Sequence, residues 1–189
     1  MAAPTPENFP KPQSITGGCL WGSIRYKVDF PEHHDFLQWS GSCQCTQCRR
    51  QTGTLVFYAH SVPLRCLTYV PSSGSSLTAA EKPKSLKNFV ATPEHQRGFC
   101  TDCGSLLYWR DEKRDDVELA LGSVDPEFLV GGGGGGGDGP STGYGFALAN
   151  CSGQNVFCGN EIKGVTDGYA VNQRGARWVK SSEHGARMP

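Results

Sequence analysis

Three cysteines inside six residues, Cys43, Cys45 and Cys48, constrain this chain more than any other feature. Arg49 and Arg50 follow directly behind them. Thiols this close in sequence converge on one metal ion or on one another as disulfides. Zinc takes four ligands and this segment offers three, the arrangement of a site that keeps a position open. A second pair, Cys100 and Cys103, stands further along, and Cys19 lies in a glycine-flanked segment, 17–22, that reads as a turn.

Compartment and spacing together choose between metal and disulfide. The nine cysteines are an odd number, and five of them fall in the two clusters. The Pro-rich start lacks the apolar core of a secretory signal, and no apolar run reaches the roughly 20 residues that span a bilayer. The expected location is therefore the cytosol or nucleus, where thiols stay reduced and clustered cysteines hold metal. Lys plus Arg equals Asp plus Glu at 18 each, so no net charge attracts nucleic acid or an anionic membrane. A small-molecule substrate is the expected partner.

At 189 residues the chain is sized for one domain. Residues 1–14 read as a flexible leader, 15–170 as the domain and 171–189 as a solvated, basic tail. Seven consecutive glycines, 131–137, lose too much backbone entropy on ordering to join a core, so 131–139 is expected to be a flexible insertion. Residues 23–30 alternate strictly, with Ile24, Tyr26, Val28 and Phe30 on one face, which predicts a half-buried strand. Further strands are expected at 54–60, 66–70, 86–91, 95–99, 105–110 and 117–122. A helical turn is predicted at 48–53 and another at 125–129, and 71–84 reads as a surface loop. Many short strands and few helix signals make the fold class all-β.

Six cysteines, Cys19, Cys43, Cys45, Cys48, Cys100 and Cys103, are too many for one zinc and two short of two closed sites. The natural partition gives Cys43, Cys45 and Cys48 one ion and Cys19, Cys100 and Cys103 another. His33 and His34 read as surface loop residues. Cys66, Cys151 and Cys158 stand alone and are expected to be buried free thiols.

Three segments in order, Gly17-Gly18-Cys19-Leu20-Trp21-Gly22, then Cys43-Gln44-Cys45-Thr46-Gln47-Cys48-Arg49-Arg50, then Phe99-Cys100-Thr101-Asp102-Cys103-Gly104-Ser105, carry a resemblance. Over residues 17–128 the chain resembles the glutathione-dependent formaldehyde-activating enzymes, a family that includes centromere protein V. The resemblance implies a β-tent fold shared with a zinc-binding chaperone of Rab GTPases. It also implies a structural zinc joining the first and third segments, a catalytic zinc on the middle one, carbon–sulfur lyase chemistry and glutathione as co-substrate. One position departs from the family. Where a second thiol is expected in the first segment, this chain has Trp21, whose indole N–H cannot bind a metal. Cys66, His60, His95 and Cys158 are the conceivable replacement ligands.

Three thiolates on Zn²⁺ leave the centre at −1, so it acidifies water less than a three-histidine site does. A thiol or a carbonyl oxygen then suits the fourth position, and Arg49 and Arg50 are candidates either to clamp a substrate carboxylate or to form surface ion pairs and cap the knuckle. Two other readings use the same residues: Lewis-acid elimination, hydrolysis or rearrangement of a carbonyl compound, and a non-catalytic zinc module for a protein partner.

Overall fold

The computed structural model describes residues 5–70, 82–132 and 143–188. The first four leader residues, most of the 71–84 loop and most of the 131–139 insertion lie outside the described residues. Two sheets carry the fold. Strands β1 (Ser14–Gly18), β2 (Arg25–Asp29) and β5 (Leu67–Val70) form the smaller one, in the order β1-β2-β5. The larger has eight strands. These are β3 (Ser40–Cys43), β4 (Phe57–Pro63), β6 (Leu86–Thr92), β7 (His95–Cys100), β8 (Leu106–Asp111), β9 (Asp116–Ala120), β10 (Gln154–Val156) and β11 (Ala176–Arg177). Their order is β11-β10-β3-β4-β9-β8-β7-β6.

Alternation explains how the sheets pack. Tyr26 and Val28 of β2, with Ile15 and Ile24, meet Val62 of β4, Leu107 and Tyr108 of β8, and Val117 and Leu119 of β9 in one core. Each fully buried side chain of this kind contributes about 1.5–3 kcal/mol. A short helix, α1 (Thr46–Thr52), crosses the opposite face of the large sheet. It stops at Gly53, whose φ of 67° is the left-handed conformation that closes a helix and that only glycine adopts freely. Two further helices are α2 (Pro126–Leu129) and α3 (Gly145–Ala149), the latter burying Ala147 and Leu148.

Several expectations need correction. The glycine-flanked segment at 17–22 is part strand: β1 runs through Gly18, and the turn is confined to residues 19–22, where the Gly22 N–H donates to the Cys19 carbonyl at 3.0 Å. The strand expected at 54–60 begins three residues later, because Thr52 and Thr54 spend their hydroxyls on Cys48 and Val56 carbonyls in a tight turn. The leader meets the body of the protein at Phe9, whose ring packs 5.2 Å from that of Phe146. The expected tail supplies β11, which pairs in parallel with β10, and Arg177 forms a largely buried ion pair with Glu161 at 2.7 Å.

His34 is not a surface residue: it is 8% exposed and its Nε2 lies 2.9 Å from Nε2 of His60. His60 Nδ1 sits 3.0 Å from the Leu148 carbonyl, which only accepts, so Nδ1 carries that ring's proton. His34 Nε2–H must then donate to His60 Nε2. Phe30, Phe36 and Trp39 surround the pair. Burial lowers the His34 pKa to about 4, against Asp35, and burial together with His34 lowers that of His60 to about 3.

Both rings are neutral in the fold and protonate near 6.5 when the chain unfolds. Their contribution to stability is complete above that value and is lost as pH falls from 6.5 through 4. Glu118, whose pKa burial raises to about 7, acts in the opposite direction from 4.5 upward. A comparison of variants cancels it. Denaturant unfolding of His34→Gln is expected to show a pH slope between 6.5 and 4 shallower than wild type by on the order of 1.4 kcal/mol per pH unit, one proton's worth. Identical slopes would mean that His34 is already charged in the fold.

Candidate metal centre

The sequence places the first three thiols by ordinary local rules. β3 ends at Cys43, in register with Phe57 of β4. Cys45 then turns out of the strand to become the N-cap of α1, and its sulfur accepts the Cys48 N–H at 3.2 Å. The Cys45 N–H in turn lies 3.5 Å from the Cys43 sulfur. One helical turn returns Cys48 to the same point. The three sulfurs all lie within 4.8 Å of one another, and all three cysteines are half-buried.

Crowding sets their protonation. The Cys45 thiolate is favoured by hydrogen bonds from the Cys43 and Cys48 thiols and from the Cys48 and Gln47 N–H groups, which bring its pKa down to about 2. The same contacts hold the Cys43 proton tightly. At Cys48 the thiol contacts oppose each other, burial and the Cys45 charge prevail, and the pKa rises to about 12. Phe57, Ala59, Ala120 and Leu106 form an apolar floor against Cys43 and Cys48.

The second triad is Cys19, Cys100 and Cys103, again with sulfurs within 4.8 Å. It joins the end of β1 to the β7–β8 turn. Cys19 is 6% exposed and Cys100 fully buried, so this cluster belongs to the core. The Ile24 N–H points at the Cys19 sulfur at 3.3 Å, and Ser23 Oγ lies 3.6 Å from Cys19 and 3.5 Å from Cys100. Burial pushes the Cys100 thiol up. For Cys103 burial is outweighed by the Ser105 hydroxyl, 3.2 Å away, and by the Ser105 and Trp21 N–H groups, so its pKa falls to about 6.

Both triads fit a tetrahedral thiophilic ion. Zn–S bonds of about 2.3 Å put ligand sulfurs roughly 3.8 Å apart. All nine cysteines are free thiols, so neither cluster is a disulfide. Among the described residues no further His, Cys, Asp or Glu joins either triad.

The four conceivable replacement ligands are all committed elsewhere. His60 is bonded to His34, His95 Nδ1 lies 2.8 Å from the Pro93 carbonyl, Cys158 donates to the Asn155 carbonyl at 3.4 Å, and Cys66 packs on the core. Trp21, the residue in place of the missing thiol, is 77% exposed and offers its backbone N–H rather than its ring. The groups nearest the second triad are the hydroxyls of Ser23 and Ser105, which cysteine spacing does not single out.

Arg49 is built into the protein. Its Nε donates to the Leu55 carbonyl at 2.8 Å, and its Nη2 donates to Gln44 Oε1 at 3.1 Å and the Asn160 carbonyl at 2.9 Å. Thr166 Oγ1 reaches the same Gln44 oxygen at 2.9 Å, and Asn160 Nδ2 donates to the Gln44 backbone at 3.2 Å. Gln44, completely buried between Cys43 and Cys45, is thus the point where the C-terminal third grips the knuckle. β10 lies in parallel beside β3, with Val156 opposite Cys43. At Gly41 a Cβ would stand 2.3 Å from the Gln154 carbonyl, so only glycine allows that approach.

Comparison with known proteins adds a family. A family model described as glutathione-dependent formaldehyde-activating enzyme matches residues 14–130. No curated protein matches the chain. Among solved structures, a crystal structure of a Rhodobacter sphaeroides protein is similar, at 18% identity and a TM-score of 0.44 over 59% of this chain and 89% of that one.

Reduced protein loaded with excess zinc and desalted is expected to carry two ions per chain, counted by elemental analysis. Cys45→Ala should leave one ion and a melting temperature near wild type. Cys100→Ser should also leave one ion but melt well below wild type, because its triad lies in the core. One ion in wild type, unchanged by Cys45→Ala, would refute this pairing of thiols.

Proposed function

The chain belongs to the glutathione-dependent formaldehyde-activating enzyme family, and from this we propose that it is a zinc enzyme that joins a thiol to a small carbonyl compound or separates the two. The observation that carries the reading is the half-buried setting of Cys43, Cys45 and Cys48, because the described residues add no fourth ligand to either triad and burial is what tells the two apart. Catalytic zinc sites have three protein ligands and an exchangeable fourth position, whereas structural sites are closed and buried. Cys19, Cys100 and Cys103, two of them buried, suit the structural role. The family's β-tent arrangement is the fold we infer for these two sheets, and nine free thiols favour a reducing compartment such as the cytosol.

Zinc held at the first triad would supply a Lewis acid that keeps a substrate thiol in its reactive thiolate form at neutral pH. The addition breaks the S–H bond and forms a C–S bond to the carbonyl carbon. The C=O π pair moves to oxygen, which takes up a proton. The reverse sequence, C–S cleavage with release of the thiolate, is the lyase direction. The protein's own part is positional. Cys43, Cys45 and Cys48 fix the centre, and the Phe57, Ala59, Ala120 and Leu106 floor keeps water from the attacking sulfur. A small molecule, with glutathione as thiol and formaldehyde as carbonyl, is the substrate pair we propose.

Exchange spectroscopy with carbon-13 formaldehyde and glutathione tests this directly. Zinc-loaded protein is expected to accelerate exchange between formaldehyde hydrate and the S-hydroxymethyl adduct at least about a hundredfold over buffer, within the range of positioning effects. Cys45→Ala should return the rate to that of buffer while Cys66→Ala leaves it intact. Exchange no faster than in buffer would dismiss the activity.

A further inference from the structure

A buried cation beside the first triad has no acidic partner. Arg97 of β7 is 5% exposed, yet it takes part in none of the ion pairs among the described residues. Arg25, Arg114 and Arg177 each meet a carboxylate, from Asp125, Asp116 and Glu161. Arg97 instead donates Nη2 to a neutral amide, Gln47 Oε1, at 2.6 Å. Its Nη1 is buried with no acceptor at all. A guanidinium left this way loses its hydration without recovering it, an arrangement that ordinarily persists only where an anion completes it.

The position of Arg97 says which anion. Gln47 lies in α1 between Cys45 and Cys48, so the amide that holds the guanidinium belongs to the knuckle itself. Cross-strand register sets Arg97 opposite Trp109, Trp109 opposite Glu118, and Glu118 opposite Ser61. That row lies on the sheet face that also presents Phe57 and Ala59, the floor of the triad. The free edge of the guanidinium and the open position of the thiol centre therefore share one face, beneath one helix.

We propose that Arg97 is the residue that seats a carboxylate carried by the thiol that binds at Cys43, Cys45 and Cys48. The identity of the sulfur-bearing ligand rests on the function proposed above; the anion site rests on Arg97 alone. Gln47 acts as the positioning residue. It holds Nη2, bridges to Thr92 Oγ1 at 3.3 Å, and leaves Nη1 for the ligand. Arg49, with its donors on Leu55, Gln44 and Asn160, is the scaffold and not the clamp.

Calorimetry on zinc-loaded protein with three probes tests the assignment: mercaptoacetate, its neutral methyl ester, and acetate. Mercaptoacetate is expected to bind at least about tenfold more tightly than the ester, as a charge-assisted hydrogen bond to arginine would give. Arg97→Gln should abolish that preference and leave the ester's affinity within about twofold of wild type. Gln47→Glu, which gives Arg97 an internal carboxylate without altering the arginine, should do the same. Acetate and mercaptoacetate binding alike in wild type and lost alike in both variants, with no binding of the ester, would uphold the anion seat and refute the thiol reading. Equal affinities for acid and ester in wild type, together with no acetate binding, would overturn the proposal. So would a preference that survives in both variants.

Discussion

Sulfur atoms within 4.8 Å of one another set the terms for the rest of this molecule. Three thiols at that separation cannot all ionise without a cation between them, since each new thiolate raises the cost of the next. The fold brings this about twice, once by local devices and once by a contact distant in sequence. In the first triad a strand end, a helix N-cap and a helical turn converge. In the second, β1 and the β7–β8 turn meet across the whole core. The two differ in burial, and the division of labour we propose for them follows from that difference. A centre in the core holds elements together, whereas a half-exposed one beneath a short helix can exchange a ligand.

Arginine placement separates support from recognition around the first centre. Arg49 looks like the natural clamp in sequence, being adjacent to Cys48. A side chain in the last turn of so short a helix nonetheless has carbonyls in reach on three sides, and Arg49 takes them. Arg97 is distant in sequence and comes to the centre only because α1 lies over the sheet face on which β7 presents it. Its buried Nη1 is left without an acceptor, whereas Nε and Nη2 of Arg49 are both bonded.

Local pattern made much of the fold legible. Alternation marked β2 through Tyr26 and Val28, and short β-branched or aromatic runs marked β4 to β9 within a few residues. Spacing alone grouped six cysteines into the triads that the sheets assemble. What stayed hidden depended on contacts distant in sequence. β1 and β3 are rich in Ser and Gly and carry too few apolar residues to alternate, so they read as turn and connector. β10 and β11 are two or three residues long and exist only because β3 offers an edge. His34 looked like a loop residue because nothing near it in sequence announces His60 or the ring of aromatics. Trp21 invited a search for a substitute ligand, but each candidate is occupied by a neighbour that the sequence does not name.

The C-terminal third, beyond the matched family region, is more than a cover. Through Gln44, Asn160 and Thr166 it anchors the residue between Cys43 and Cys45, so the geometry of the centre depends on chain far outside it. The central claim is that this centre holds its ion with three sulfurs and leaves a place for a fourth from outside. Cadmium-113 resonance of doubly loaded protein measures that most directly, because the shift follows the number of coordinating sulfurs. Two signals are predicted, of which added thiol moves one downfield, the one missing from Cys45→Ala. Two signals that both ignore the thiol, or a single signal throughout, would contradict the account.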